Sequence, residues 1–171
     1  MLKAVAIIGV LICLTILGVT TPQAQEKTAI GGKLAFTFTD QKQVNVGDAE
    51  GHMLSLNQSS AKNASAAPGG FMDGADAINF SIGDLVKGNG PQFGYIMFAM
   101  GADTTFAKWE HPTTTIMSAE GKPTTTFKGT FNFIKGTGQY KDIQGGGDYT
   151  GVFTTPTTYT VEWKGDIAIK K

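Results

Sequence analysis

Residues 157–169 read TTYTVEWKGDIAI, and this stretch decides the fold. Apolar or small residues occupy the odd positions from Tyr159 to Ile169, and polar residues occupy most of the even positions between them. Strict alternation over this length predicts a β-strand with one face in a dry interior and the other in water. We therefore expect the odd-numbered side chains, Trp163 and Ile167 among them, to project into a shared, water-free core.

Similar short runs, rich in threonine, aromatic and β-branched residues, recur after residue 26, and helical periodicity is nearly absent. The predicted strands cover residues 33–39, 51–57, 75–82, 93–100, 104–109, 113–118, 124–134, 148–154 and 157–169. Residues 58–70 (QSSAKNASAAPGG) are small and polar, which predicts a long exposed loop. Residues 83–92 are predicted as a turn and residues 136–147 as an irregular corner.

This pattern of eight or nine short strands with mostly tight connections favours a single all-β antiparallel domain, either an up-and-down barrel or a sandwich. Glycines recur inside the strands, where strong curvature needs them, and they favour the barrel. Residues 93–100 are apolar at both parities. We expect one face of that strand to point into the interior and the other to be covered by a neighbouring segment or a partner subunit.

The N-terminal residues have the layout of a cleaved secretory signal peptide. Lys3 precedes a continuous apolar run from Ala4 to Val19, and a small, polar tail follows it. We expect a signal peptide at residues 1–24, a barrel domain at residues 25–171, and a secreted or periplasmic protein. Cleavage after Thr21 and an uncleaved membrane anchor are the alternatives. Cys13 is the single cysteine, so the mature domain is held by its core without disulfides.

The charge pattern argues against several classes of partner. The formal net charge is zero, the lysines are dispersed and arginine is absent. Arginine is the preferred reader of phosphates and base edges, so this composition argues against nucleic acid, anionic membranes and phosphate-rich ligands as partners. Glycine-rich segments match no phosphate-binding loop, and no catalytic signature is present.

Two glycine-rich segments, GTGQY (136–140) and GGG (145–147), resemble the corner of allene oxide cyclase and dirigent barrels. The runs GHMLSL (51–56), FMDGAD (71–76) and GNGPQFGY (88–95) resemble a group of exported bacterial proteins with the same barrel. The resemblance implies an eight-stranded, calycin-like barrel, dimeric or trimeric, with an apolar cavity. Enzymes of the superfamily cyclise or couple small hydrophobic molecules. The dirigent members depend on an arginine that this chain lacks, so that chemistry does not carry over.

The aromatic residues of the C-terminal strands are expected to face the interior: Phe131, Phe133, Tyr149, Phe153, Tyr159 and Trp163. They either fill a solid core or line a ligand cavity. An eight-stranded barrel is just wide enough to be filled by side chains or, alternatively, to hold one small ligand. Tyrosine and tryptophan carry polar groups that need partners when buried, which favours a cavity with polar points.

Polar candidates are few. His52 and His111 are the only histidines, and their spacing from acidic residues does not support a metal site. Asp73 is expected to lie in a turn. The alternative is that its carboxyl group, beside the apolar Phe71 and Met72, has a raised pKa, as a general acid would need. The predicted ligand-binding residues are His52, Asp73, Tyr95, Phe131, Phe133, Tyr149 and Trp163. No catalytic residue, metal or cofactor is assigned.

The sequence thus favours an exported barrel that shelters a small hydrophobic or amphipathic molecule, with no membrane contact after cleavage. One alternative is an isomerase or cyclase, which requires His52, Asp73 or Tyr95 to point inward. The other is an interaction module with a filled barrel and an exposed apolar stripe at Ile96, Phe98 and Met100.

Overall fold

The computed structural model describes residues 26–170, which form a closed barrel of eight antiparallel strands in up-and-down order. The strands are β1 (Thr28–Asn45), β2 (His52–Ser65), β3 (Asp76–Val86), β4 (Gly90–Met100), β5 (Asp103–Met117), β6 (Pro123–Gly136), β7 (Ile143–Thr155) and β8 (Thr158–Ile169). A short 3-10 helix, Gly138–Tyr140, lies between β6 and β7. The predicted barrel is confirmed. The predicted signal peptide, residues 1–24, lies outside the described residues.

The alternation in β8 places its odd-numbered side chains inside the barrel, as predicted. Tyr159, Val161, Trp163 and Ile167 are buried, and the even positions 160, 162 and 164 between them are exposed. The same strand closes the barrel by pairing with β1, where Trp163 lies opposite Gly32. A Cβ atom at position 32 would lie 3.1 Å from the indole ring, so glycine makes room for the tryptophan at the seam.

Strand β2 is longer than predicted. It continues to Ser65, so most of the loop predicted for residues 58–70 is strand, and the β2–β3 connection covers residues 66–75. The inward side chains Ser59 and Asn63 are buried although they are polar. This half of β2 pairs with both β1 and β3, and those ladders satisfy its backbone groups without any hydrophobic signal in the sequence.

Strand β5 is one strand where two were predicted. It runs through Pro112, which lies opposite Pro91 of β4. The ladder with β6 pairs Glu110 with Thr130 and resumes at Thr113 with Phe127. Pro112 therefore lies where the β5–β6 ladder is interrupted. Because no ladder hydrogen bond is needed at this position, the absence of a backbone N–H does not break the strand.

The orientation of β4 corrects one prediction. Ile96 and Phe98 point into the barrel and line its interior, so they are not part of an exposed stripe. The exposed apolar side chains of this strand are Phe93 and Tyr95, on the opposite parity, and Met100 at its end, which is 42% exposed as predicted. Gly94 fixes this orientation, because it faces the indole ring of Trp109 on β5 and no larger residue fits there.

Candidate functional site

The interior of the barrel contains a cavity of about 80 Å³. Strands β5–β8 supply a wall of large aromatic side chains: Trp109, Phe127, Phe131, Phe133, Tyr149, Phe153, Tyr159 and Trp163. Strand β3 faces this wall with the smaller polar residues Asn79 and Ser81. The cavity arises from this asymmetry, because small side chains on one wall leave space opposite the aromatic rings.

One end of the barrel is closed by the β2–β3 loop. The Phe71 ring packs against the rings of Phe98, Tyr140 and Trp163, with centroids 5.1–6.0 Å apart. Met72 is fully buried beside it. The side-chain amide of Asn63 donates hydrogen bonds of 3.0 Å to the carbonyl oxygens of Phe71 and Met72. We call residues 66–75 the plug, and Asn63 holds it in the barrel.

We expect Asn63→Ala to destabilise the protein by about 2 kcal/mol, because two buried carbonyl groups lose their donor and each such loss costs about 1–3 kcal/mol before the loop relaxes. Chemical denaturation measures this change. Asp73→Ala is the matched control on the exposed side of the plug and should have a smaller effect. Equal stability of Asn63→Ala and the wild type would show that the plug is held by packing alone.

The other end of the cavity lies near the β3–β4 and β7–β8 turns. Phe38, Gln92 and Phe153 line the cavity there and are only partly buried. The Phe38 ring contacts Phe153 and Tyr159, with centroids 6.2 and 5.4 Å apart. This end of the barrel is therefore closed less tightly than the end that the plug fills.

A hydrogen-bonded chain crosses the interior from β5 to β2. The indole Nε1–H of Trp109 donates to Asn79 Oδ1 at 2.8 Å, and the amide of Asn79 donates to the hydroxyl oxygen of Tyr159 at 3.0 Å. That hydroxyl lies 2.6 Å from Ser59 Oγ. Burial raises the pKa of Tyr159 to about 12, so the phenol stays neutral. The chain satisfies its members and fixes the polar wall.

His111 lies inside the aromatic wall. Its ring stacks between Trp109 and Phe127, with centroids 5.0 and 4.5 Å away and interplanar angles of 14° and 17°. Its Nδ1 is 2.7 Å from the Tyr149 hydroxyl, which also donates to the backbone carbonyl of Glu110 at 3.2 Å. Burial lowers the pKa of His111 to about 4 and raises the pKa of Tyr149, so both groups are neutral near pH 7.

Two buried nitrogen atoms of the lining residues have no hydrogen-bond partner among the described residues. They are Nε2 of His111 and Nε1 of Trp163. Buried polar atoms in proteins are nearly always hydrogen-bonded, so these two atoms are exceptions.

Four of the predicted ligand-binding residues meet at the cavity: Phe131, Phe133, Tyr149 and Trp163. The other three lie elsewhere. Tyr95 projects outward from β4 and is 45% exposed. Asp73 belongs to the plug, and His52 lies on the outer face of β2. The condition set by the cyclase alternative, that one of these three points inward, is not met.

The charged candidates have structural roles. The backbone N–H groups of Ser65 and Gly69 donate to the Asp73 carboxylate and lower its pKa. The alternative of a raised pKa at Asp73 is therefore wrong. His52 binds Asp84, with Nε2 2.7 Å from Oδ1, and binds Asp48 through Nδ1. These carboxylates raise its pKa and tie the β1–β2 turn to β3.

Sequence reasoning assigned no role to Asn79 or Trp109. Both sit at the inward parity of alternating strands, β3 and β5, which is the signal that would have found them. Within residues 26–170, no group of three or more His, Cys, Asp or Glu side chains is placed to hold a metal ion. No helix in that range is long and apolar enough to cross a bilayer.

Comparison with known proteins finds a distant match in fold. A solved structure of a pterocarpan synthase dirigent protein matches 93% of this chain and 96% of its own length, with 14% sequence identity and a TM-score of 0.47. No family model and no curated protein matches the sequence. The closed barrel of eight antiparallel strands is the architecture that the sequence predicts.

Proposed function

We propose that this protein binds a small, neutral, apolar or amphipathic molecule inside the barrel, and does so outside the cytoplasm. The observation that carries the proposal is an aromatic cavity with two buried nitrogen atoms that lack partners in the described protein. Binding sites for small molecules combine these features: apolar walls and a few convergent polar groups. The signal-peptide pattern of residues 1–24 supports export.

The size of the cavity sets the size of the ligand. At about 80 Å³ it has roughly half the volume of the engineered 150 Å³ cavity that holds benzene. A single-ring molecule therefore requires outward movement of the partly buried rings of Phe38 and Phe153. Among the described residues that line the cavity none carries a formal charge, which favours neutral ligands.

Binding is favoured over acid–base catalysis because the ionisable groups in the cavity are poorly matched to proton transfer. An efficient general base has a pKa near the working pH. The pKa of His111 lies at about 4 and that of Tyr159 at about 12, on either side of neutrality. Both groups therefore stay neutral near pH 7 and act as hydrogen-bonding groups rather than as proton carriers.

A cavity-filling variant tests the proposal. Ser81 is buried and lines the cavity, so Ser81→Leu replaces its hydroxyl by an isopropyl group of three carbon atoms and leaves the residues of the aromatic wall unchanged. We expect it to abolish binding of toluene and phenol, measured by calorimetry, at a folding cost of about 1–3 kcal/mol. Ser60→Leu, on the exposed face of β2, is the matched control and should bind as the wild type does. Unchanged binding by Ser81→Leu would refute an interior site.

We also propose that a second copy of this chain covers the outer face of β2–β4. Strands β2 and β3 are inverted: most of their inward residues are small or polar, whereas many of their outward residues are large and apolar. The outer apolar face consists of Leu54, Leu56, Phe80, Ile82, Phe93 and Tyr95, each 43–53% exposed. The registers place Leu56 beside Ile82, and Phe80 beside Tyr95, so the side chains form one continuous patch.

The border of this outer apolar face suits a copy of itself. Lys108 and Glu110 of β5 lie opposite Tyr95 and Phe93 in the register, so a positive and a negative charge flank the patch side by side. In a contact with two-fold symmetry, every contact between two different residues occurs twice, with the two copies exchanged. Lys108 of each copy then pairs with Glu110 of the other. The zero net charge adds no long-range repulsion between copies.

We expect the wild type to sediment as an oligomer and Phe80→Lys to sediment as a monomer, because a buried, unpaired charge at the centre of an interface is strongly unfavourable. Thr160→Lys, on the exposed face of β8, is the matched control and should remain oligomeric. Analytical ultracentrifugation distinguishes these outcomes. A monomeric wild type would exclude self-association through this face.

A further inference from the structure

The hydrogen-bond geometry around Tyr149 favours one tautomer of His111, the one that carries the proton on Nδ1. The Tyr149 hydroxyl makes two contacts, one with His111 Nδ1 at 2.7 Å and one with the backbone carbonyl of Glu110 at 3.2 Å. A carbonyl oxygen only accepts, so the single phenolic proton is donated to Glu110. Both contacts are then satisfied only when Nδ1–H of His111 donates to the Tyr149 oxygen.

The remaining nitrogen atom, Nε2, is therefore an unprotonated acceptor. Burial keeps the imidazole neutral near pH 7, since it lowers the pKa of His111 to about 4, and a neutral ring carries one N–H. Nε2 lies at the end of the ring remote from Cβ, and β5 directs this side chain into the barrel. His111 is 8% exposed, and no described residue donates to Nε2.

The two flanking rings hold this acceptor in place. Trp109 and Phe127 cover the two faces of the imidazole, so the ring and its Nε2 are restrained in one orientation. Tyr149 restrains the Nδ1 edge. A lone pair is thus held at a fixed position beside the aromatic lining of the cavity, where a donor on a bound molecule would satisfy it.

We infer that the cavity selects small neutral molecules that carry an N–H or O–H donor, and that this donor binds Nε2 of His111. This inference rests on the proposed binding function and adds the class of ligand. A molecule of the same shape without a donor would leave the acceptor desolvated and unpaired, and sites with a buried polar group discriminate strongly against such analogues. For a hydroxyl ligand, Trp163 Nε1 on the same aromatic wall is a donor without a partner among the described residues.

Phenol and toluene form a matched pair of probes, because both have a six-membered ring with one substituent and only phenol carries a donor. We expect the wild-type protein to bind phenol with a Kd about tenfold or more below that for toluene, as measured by calorimetry. His111→Phe keeps an aromatic ring between Trp109 and Phe127 but removes the acceptor, so the preference for phenol should vanish. Tyr149→Phe leaves the imidazole and frees its tautomer, so anisole, which only accepts, should gain affinity.

The tautomer itself is measured by 15N NMR of the histidine side chains, independently of any ligand and of the variants' folding. We expect a protonated Nδ1 and an unprotonated Nε2 for His111 at pH 7. A protonated Nε2 would overturn the inference. Equal binding of phenol and toluene by the wild type would overturn it while leaving the proposed binding function intact, whereas binding of neither probe would contradict both.

Discussion

Trp163→Ala should destabilise the protein by about 3–5 kcal/mol, the range for removing a large aromatic side chain from a packed core. The indole ring is 7% exposed and packs against Phe71, Phe98 and Phe131, with centroids 5.9–6.0 Å away. It therefore joins the plug, β4 and β6, and its loss removes contacts from three elements. The free energy of unfolding in denaturant measures the effect.

Trp163→Phe is the matched control, because it keeps an aromatic ring at the same position and should recover a large part of the loss. The variant also separates a packed interior from a hollow one. A loss well below 3 kcal/mol for Trp163→Ala would mean that Trp163 already borders empty space on most sides. The plug would then be held by Asn63 and its hydrogen bonds rather than by the aromatic cluster.

Acid should destabilise the protein through His111 by about 3 kcal/mol in total as the pH falls from 6.5 to 4. The pKa of this group is 6.5 in the unfolded chain and about 4 in the folded protein. Between these values the unfolded state binds a proton that the folded state does not, so stability rises with pH across the window and is lost as the pH falls. Thermal unfolding measured at a series of pH values gives the slope.

His52 contributes with the opposite sign and has to be removed from the comparison. Its pKa is raised in the folded protein by Asp84 and Asp48, so its contribution is full below pH 6.5 and is lost as the pH rises through the folded pKa. The titration is therefore made in the His52→Gln variant, with and without His111→Phe. If both proteins have the same slope between pH 4 and 6.5, the buried histidine is not held neutral.

The barrel was predictable because its C-terminal strands carry their hydrophobic signal on one parity. Residues 159–164 alternate between buried and exposed, Ile167 is buried again, and the aromatic wall follows from that alternation. The sequence of the opposite wall, formed by β2 and β3, has no such hydrophobic alternation toward the interior. The inward residues of β2 and β3 are small or polar, and they are buried only because the closed barrel surrounds them and Tyr159 binds Ser59 and Asn79.

The orientation of β4 also needed the structure. Its sequence is apolar at both parities, so hydrophobicity alone assigns neither face to the interior. The decision lies in the neighbouring strand, where Trp109 requires the space that Gly94 leaves. The tautomer of His111 is similarly out of reach of sequence reasoning, because it depends on a backbone carbonyl and a hydroxyl from different strands.

The central claim, that the interior of the barrel is a ligand site, is tested most directly by NMR of the tryptophan side chains during a phenol titration. The chain has two tryptophans, and both line the cavity. We expect both indole N–H signals to shift in a saturable manner in the wild type, and neither to shift in Ser81→Leu. Indole signals that stay fixed while phenol shifts only residues of the outer apolar face would contradict the claim.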